Sequence, residues 1–307
     1  MDIIGKRYWL LGVSAVIILF GIVALVVWGL PLSIDFRGGT LLQLQFPSGQ
    51  APQPAEVTVV ANGLGIKDAL VQDTAGGIVM IRSSELSDQQ RTDLIDALSK
   101  KYSQQVTLLT AATVTPVISQ VVTQRATIAV IVSTILVGLF VVFSFRKVEN
   151  AFRYGVCAVA ALVHDLLIIF GITAIGGHFL GWQADSLFLT AVLTVIAFSM
   201  QDTIVVFDRI RENSTLYRRL DFEQLVNHSV VQTLARSINT QLMTSDFLLL
   251  AMALFGGITL QQFVIILLVG MVSGTYSSIF IAASILVIWQ NKEWKNWFGR
   301  RAPQPAS

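Results

Sequence analysis

The chain has 307 residues, of which 54% are apolar and 13% charged, with a mean hydropathy of +0.68. It carries about half the charge of a soluble domain, so most of it belongs in lipid. The formal net charge of +2 is scattered without a basic run, which argues against a nucleic-acid surface, and the single cysteine, Cys157, excludes an intrachain disulfide or a thiolate metal site.

The chain opens with Lys6 and Arg7, followed by an apolar run from Tyr8 to Ile34. A signal-peptide core is about 7–15 residues long, so this run predicts an uncleaved spanning helix, with residues 1–31 as the first membrane segment. Crossing the hydrocarbon takes about 20 apolar residues. Runs of that order lie at 8–31, 126–145, 154–176, 186–207, 238–256 and 262–289, predicting six spans, of which the fifth is interrupted by polar residues near its start. Lys6, Arg7, Arg146, Lys147, Arg153, Arg209, Arg211, Arg218, Arg219, Arg236, Lys292, Lys295, Arg300 and Arg301 then all fall on one side, whereas the loops Gly177–Asp185 and Gly256–Gln261 contain no Lys or Arg. Positive charge accumulates in the cytoplasm, so both termini are predicted to be cytoplasmic. Trp9, Trp28, Trp182 and Trp289 sit near run ends, where an indole suits the headgroup level.

The hydrophilic stretch 32–125 is expected outside the cytoplasm. Thr40–Phe46, Asp68–Asp73, Ile78–Ile81 and Val106–Val114 read as strands, and Pro54–Gly63 and Ser87–Tyr102 as helices. The order βαββαβ predicts a ferredoxin-like α+β domain. Ser87 with Gln90, followed by Leu94, Ile95 and Leu98, has the pattern of a capping box opening an amphipathic helix. Gly38-Gly39 and Gly76-Gly77 match neither dinucleotide nor phosphate-loop spacing and read as turns. Residues 126–290 form the remaining five-helix bundle, and 291–307 a cytoplasmic tail.

Ionisable side chains in a bilayer are costly, about 2.5–3.5 kcal/mol each at its centre, and mark function by default. Three acids qualify: Asp165 beside His164 in the third run, Asp202 beside Gln201 in the fourth, and Asp246 in the fifth. On a helical period Asp202 shares a face with Val195, Phe198, Ser199, Val205 and Val206, and Arg236 is the nearest cation expected, on an arc with Asn239, Met243 and Asp246. An ion pair of Asp202 with Arg236 and a packing pair of His164 with Asp165 are the structural alternatives to a proton-carrying role. Two membrane aspartates also suggest an intramembrane protease, but Phe198-Ser199-Met200-Gln201 lacks a glycine-flanked aspartate, and no His-x-x-x-His pair occurs. The sequence therefore reads as non-enzymatic, without metal or cofactor.

Four segments resemble the SecF branch of the SecD/SecF family of RND-type export proteins. They are Ile34-Asp35-Phe36-Arg37-Gly38-Gly39-Thr40 outside the first run, Ala161-Leu162-Val163-His164-Asp165 in the third, Asp202–Asn213 at the end of the fourth, and Gln232–Ile238 at the start of the fifth. The resemblance implies a six-helix RND-type half-bundle in the bacterial plasma membrane, paired with a homologous six-helix SecD. It also implies partnership with the Sec channel (SecY, SecE and SecG) and with the unfolded polypeptide it translocates, driven by the proton gradient. Asp202 would be the relay carboxylate and Arg236 its companion, with Gln201, Ser199, Thr240, His164 and Asp165 as supporting polar groups and Asp35, Phe36, Gly38 and Gly39 as the external motif. The chain departs from the family pattern at Ala197, Phe198, Gln201 and Gln241. The alternative from a different class is a proton-coupled exporter of small molecules or lipids.

Overall fold

A computed structural model describes residues 1–47, 51–66, 68–74, 77–148, 150–242, 247–255 and 258–297. In chain order the elements are α1 (Arg7–Trp28), α2 (Ile34–Arg37), β1 (Gly39–Gln45), α3 (Pro54–Gly63), β2 (Leu70–Thr74), β3 (Ile78–Ser83), α4 (Asp88–Tyr102) and β4 (Thr107–Val114). They continue with α5 (Pro116–Ser144), α6 (Ala151–Leu180), α7 (Ser186–Leu216), α8 (Phe222–Gln241), α9 (Phe247–Phe255) and α10 (Ile258–Tyr276), then a π-helical segment (Ser277–Ala282), α11 (Ala283–Gln290) and α12 (Trp294–Trp297). The chain divides into two compact units, one of residues 1–30, 129–182 and 187–307, the other of residues 31–128 and 183–186.

Five described helices are long and apolar enough to cross a membrane: Ile4–Trp28, Pro116–Ser144, Ala151–Leu180, Ser186–Leu216 and Leu260–Gln290. α5 starts at Pro116, ten residues before the expected 126, because Pro116 suits a first helical turn and the apolar period continues through Val117, Ile118 and Val121. The expected fifth span, 238–256, covers the end of α8, residues 243–246 outside the described set, and the nine-residue α9. Asp246 lies among those residues. At about 1.5 Å per residue α9 alone is too short for about 30 Å of hydrocarbon.

Within the helical unit, 50% of the apolar stretch of α6 and 61% of that in Leu260–Gln290 is buried, against 17% in α1 and 11% in α5. The first two are therefore central and the last two peripheral, and the large side chains they leave bare, such as Phe20, Phe140 and Phe143, suit lipid. α1 meets the bundle along Arg7, Ser14, Gly21 and Ala24, a stripe dominated by seven-residue spacing. Arg7 is 8% exposed and donates to both Glu223 (2.8 and 3.1 Å) and Glu293 (3.2 and 2.8 Å). The Asn227 amide oxygen accepts from the backbone N–H groups of Ile3 and Ile4. The start of α1, the start of α8 and the turn after α11 therefore meet at one end of the bundle.

The second unit holds a four-stranded antiparallel sheet in the order β2-β3-β1-β4, with α3 and α4 as its helices, so the βαββαβ order read from the periodicity is present. Alternation sends Leu42, Leu44, Val79 and Ile81 to one face, where they form a core with Val57 and Ala61 of α3 and Leu94 and Leu98 of α4. The capping box forms as predicted: Ser87 Oγ accepts from Gln90 N (3.2 Å) and Gln90 Oε1 from Ser87 N (3.0 Å). β2 starts at Leu70 rather than Asp68, because the Asp68 carboxylate is taken up by the backbone N–H of Ser84 (2.6 Å).

Candidate functional site

Each acid that the sequence places in the apolar helices needs hydrogen-bond donors, since an unsatisfied charge in a dry interior costs several kcal/mol. Asp165 finds them on three elements. It is 1% exposed. Its Oδ2 accepts from Ser199 Oγ of α7 and Ser277 Oγ of the π segment, and its Oδ1 from Ser273 Oγ of α10, all at 2.7 Å. The adjacent His164 Nδ1 lies 3.1 Å from Oδ1, within hydrogen-bond distance. The other ring nitrogen, Nε2, is buried and has no hydrogen-bond partner among the described residues.

Small residues bring the helices this close. A Cβ on Gly274 would stand 2.9 Å from Ser199 Cβ, and one on Gly270 would meet Val195 of α7, so glycine at both positions lets α10 approach α7. Thr203 Oγ1 and Ser278 Oγ share a hydrogen bond of 2.7 Å, and Ser278 Oγ also donates to the Ser199 carbonyl (3.0 Å). Tyr276 closes the cluster toward α1. Its hydroxyl donates to Leu10 O and accepts from Ser14 Oγ, both at 3.1 Å, and its ring stacks on that of His164 with centroids 6.1 Å apart.

Asp202, favoured by the sequence, is half-buried one turn from Ser199 and accepts from Thr275 Oγ1 (2.9 Å). Asp202 and Arg236 form no ion pair, because Arg236 is exposed on α8 and its charge acts only from beyond contact distance. The ion pair that the sequence offered as a structural alternative is therefore not formed. Gln201 and Thr240 are also exposed and take no part in the cluster, whereas Ser199 and His164 do. The sequence reading missed Ser273, Thr275, Ser277, Ser278 and Thr203. The signal was the four-residue spacing of small residues, Gly270-Gly274-Ser278 and Ser273-Ser277, inside the last apolar run.

The external motif is a clasp within the second unit. Ser33 Oγ caps α2 by accepting from Asp35 N (3.2 Å), and Asp35 Oδ2 accepts from Ser186 N (3.0 Å) and Ser186 Oγ (2.8 Å). The Phe36 carbonyl accepts from Thr123 Oγ1 (2.9 Å). Gly38 and Gly39 adopt φ of 80° and 123°, and a side chain on Gly39 would strike the Ser83 carbonyl, so glycine is required there. Beside the clasp is a cleft of about 360 Å³ lined by Arg37, Asp68, Arg82 and Glu85. Burial pushes the Arg82 guanidinium down to about 10, opposed by the charge of Asp185. No group of three or more His, Cys, Asp or Glu among the described residues could hold a metal.

Residues 94–292 match the family model described as "Protein export membrane protein SecD/SecF, C-terminal", and residues 23–46 the "SecD/SecF GG Motif". The chain is 53% identical over 307 residues to the protein translocase subunit SecF of Anaerolinea thermophila, covering 100% of this chain and 99% of the relative. It is 32% identical to the protein translocase subunit SecDF of Thermus thermophilus over 91% of this chain and 37% of that one. Among solved structures, the crystal structure of SecDF from Thermus thermophilus aligns with a TM-score of 0.84 and 30% identity over 95% of this chain. The chain spans 39% of that longer protein.

Proposed function

The chain belongs to the SecD/SecF family of protein export membrane proteins, and on that footing we propose that it is an accessory, non-enzymatic subunit of the bacterial Sec export machinery. The observation that carries this reading is the 53% identity, end to end, with a protein translocase subunit SecF. The chain pairs with a SecD protein, as its alignment to part of a SecDF chain suggests, and works beside the SecY, SecE and SecG channel on an unfolded polypeptide. It sits in the plasma membrane as a six-span RND-type half-bundle with both termini cytoplasmic and a ferredoxin-like domain outside. The meeting of Arg7 with Glu223 and Glu293 supports termini on a common side.

The work comes from the proton gradient. One charge crossing 100 mV supplies about 2.3 kcal/mol, enough for a few protons to drive a modest repacking of helices. Asp202 carries the proton and Arg236 tunes it from the neighbouring helix, where the absence of an ion pair leaves the carboxylate free to exchange its Thr275 hydrogen bond. The test has two arms, co-purification with a tagged SecD-type partner and gradient-driven export into vesicles. A chain that exports fully without such a partner, or whose Asp202→Asn variant exports like the parent, refutes the reading.

A further inference from the structure

We propose that His164 and Asp165 form a second proton-binding site in the bundle, separate from Asp202, with Ser277 as the hydroxyl through which its occupancy is felt by the packing. The proposal deepens the proton-driven reading and rests on it for its purpose, though not for its geometry.

An ionised carboxylate accepts hydrogen bonds and donates none. Asp165 has three hydroxyl donors on its two oxygens, from Ser199, Ser277 and Ser273, with His164 Nδ1 within hydrogen-bond distance as well, so its cage suits the charged form. A buried charge needs a counter-charge. Among the described residues the surrounding elements provide none in contact: α7 offers Asp202, itself an acid, and farther along Arg209 and Arg211, which pair with Glu212 and Asp208; α10 has only Tyr276, and the π segment and α11 carry no ionisable residue. α1 has Arg7 and Tyr8 at its start, Arg7 being held by Glu223 and Glu293, and Arg236 of α8 pairs with neither acid. The group able to supply the charge is His164 itself. With Nδ1 as the donor to Asp165, Nε2 is the basic nitrogen of the neutral ring, buried with no hydrogen-bond partner among the described residues. A proton adding to that lone pair breaks no other bond and takes the pair from a net charge of −1 to 0.

Ser277 links this event to the fold. Its hydroxyl lies 2.7 Å from Asp165 Oδ2 and 3.1 Å from the Gly274 carbonyl, two acceptors for one hydrogen. While the carboxylate is uncompensated it holds the hydroxyl. Once imidazolium balances that charge, the Gly274 carbonyl becomes the competitive acceptor, and the tie between α6 and the π segment loosens. π segments within α-helices often mark such functional sites.

The test uses the full chain, its histidines labelled with nitrogen-15, in lipid nanodiscs, with ring-nitrogen NMR followed against pH. The chain has three histidines, His164, His178 and His228, and loss of a signal in His164→Gln assigns the first. The expected result is that His164 titrates in the parent, that Asp165→Asn abolishes the titration over the same range, and that Asp202→Asn leaves its midpoint in place. Ser273→Ala, which removes one donor and keeps the charge, displaces the midpoint and serves if Asp165→Asn does not fold. A His164 that never changes protonation, or one that follows Asp202→Asn and ignores Asp165→Asn or Ser273→Ala, overturns the proposal and leaves a structural network only. Export assays separate the two ideas. If His164 titrates as expected while Asp202→Asn exports normally, the relay reading fails and this site stands; the reverse pattern sinks the site alone.

Discussion

Gly171 of α6 and Gly21 of α1 meet backbone to backbone: a Cβ on Gly171 would lie 2.5 Å from the Gly21 Cα, whereas one on Gly21 would lie 3.3 Å from the Gly171 Cα. The contact is asymmetric, and its asymmetry can be measured. Gly171→Ala forces the helices apart and should destabilise the bundle by about 1–3 kcal/mol. Gly21→Ala needs a shift of only a few tenths of an ångström and should cost less. Thermal unfolding of the two variants in detergent checks the order; equal costs would mean that the helices slide freely.

The charge cluster at the chain termini predicts an acid-sensitive closure. Burial pushes the Glu293 carboxyl up, but hydrogen bonds from Arg7 and Tyr8 and the charge of Arg7 outweigh it, holding the group below the usual carboxylate range. A depressed folded-state value means stability that is complete above the unfolded value, near 4.5, and lost as pH falls through the folded one. Melting curves should show the Glu293→Gln variant weaker than the parent at neutral pH, with the gap closing in acid. Arg7→Ala should be worse, at about 2 kcal/mol, because it strands two carboxylates; the figure is below that for a fully buried pair since Glu223 keeps a third of its surface.

For the relay, Asp202→Asn keeps size and hydrogen bonding and removes titration, so gradient-stimulated export should vanish at unchanged protein level. Asp202→Glu should keep part of it. Arg236→Ala should lower it, and Thr275→Val, which deletes the donor to Asp202, should shift the pH at which export is fastest. Asp246→Asn should be milder than any of these. Vesicles with imposed gradients of several sizes distinguish a lost relay from a lost fold, since the latter also lowers gradient-independent export.

The topology prediction is read by labelling. Cys157 is fully buried and should stay silent toward a membrane-impermeant maleimide. A cysteine at exposed Gln89 should react in intact cells, and one at exposed Ser214 only after the membrane is opened. The opposite pattern would invert the orientation drawn from the Lys and Arg distribution.

The sheet domain was legible because strand periodicity and capping are local signals: the segments read as strands hold Leu42, Leu44, Val79 and Ile81, which alternate into the core, and Ser87 with Gln90 closes the box as read. The acid at the centre of the buried cluster was not. Asp165 and Asp202 look alike in sequence, and what separates them is the convergence of Ser199, Ser273 and Ser277 from distant segments, which no local period encodes. Of the arc read for Arg236, Arg236 and Asn239 are exposed and Met243 and Asp246 lie outside the described residues, while the face that α8 buries carries Ser229, Thr233 and Ser237 instead. Some helices outlast the apolar runs read as spans, as α5 does at Pro116 and α7 does toward Leu216.

The π-helical segment Ser277–Ala282 has a further effect on how this span tolerates change. In an α-helix each residue advances the next by roughly 100°, so the wider turns set α11 out of phase with α10. The serines of one half and the apolar face of the other, with Leu286 and Val287 fully buried, are thereby directed to neighbours that an unbroken helix would not serve together. Deleting a single residue there would turn α11 against the bundle by about a quarter of a revolution or more. Point substitutions in this stretch alter one contact, while a change of length alters every contact that follows.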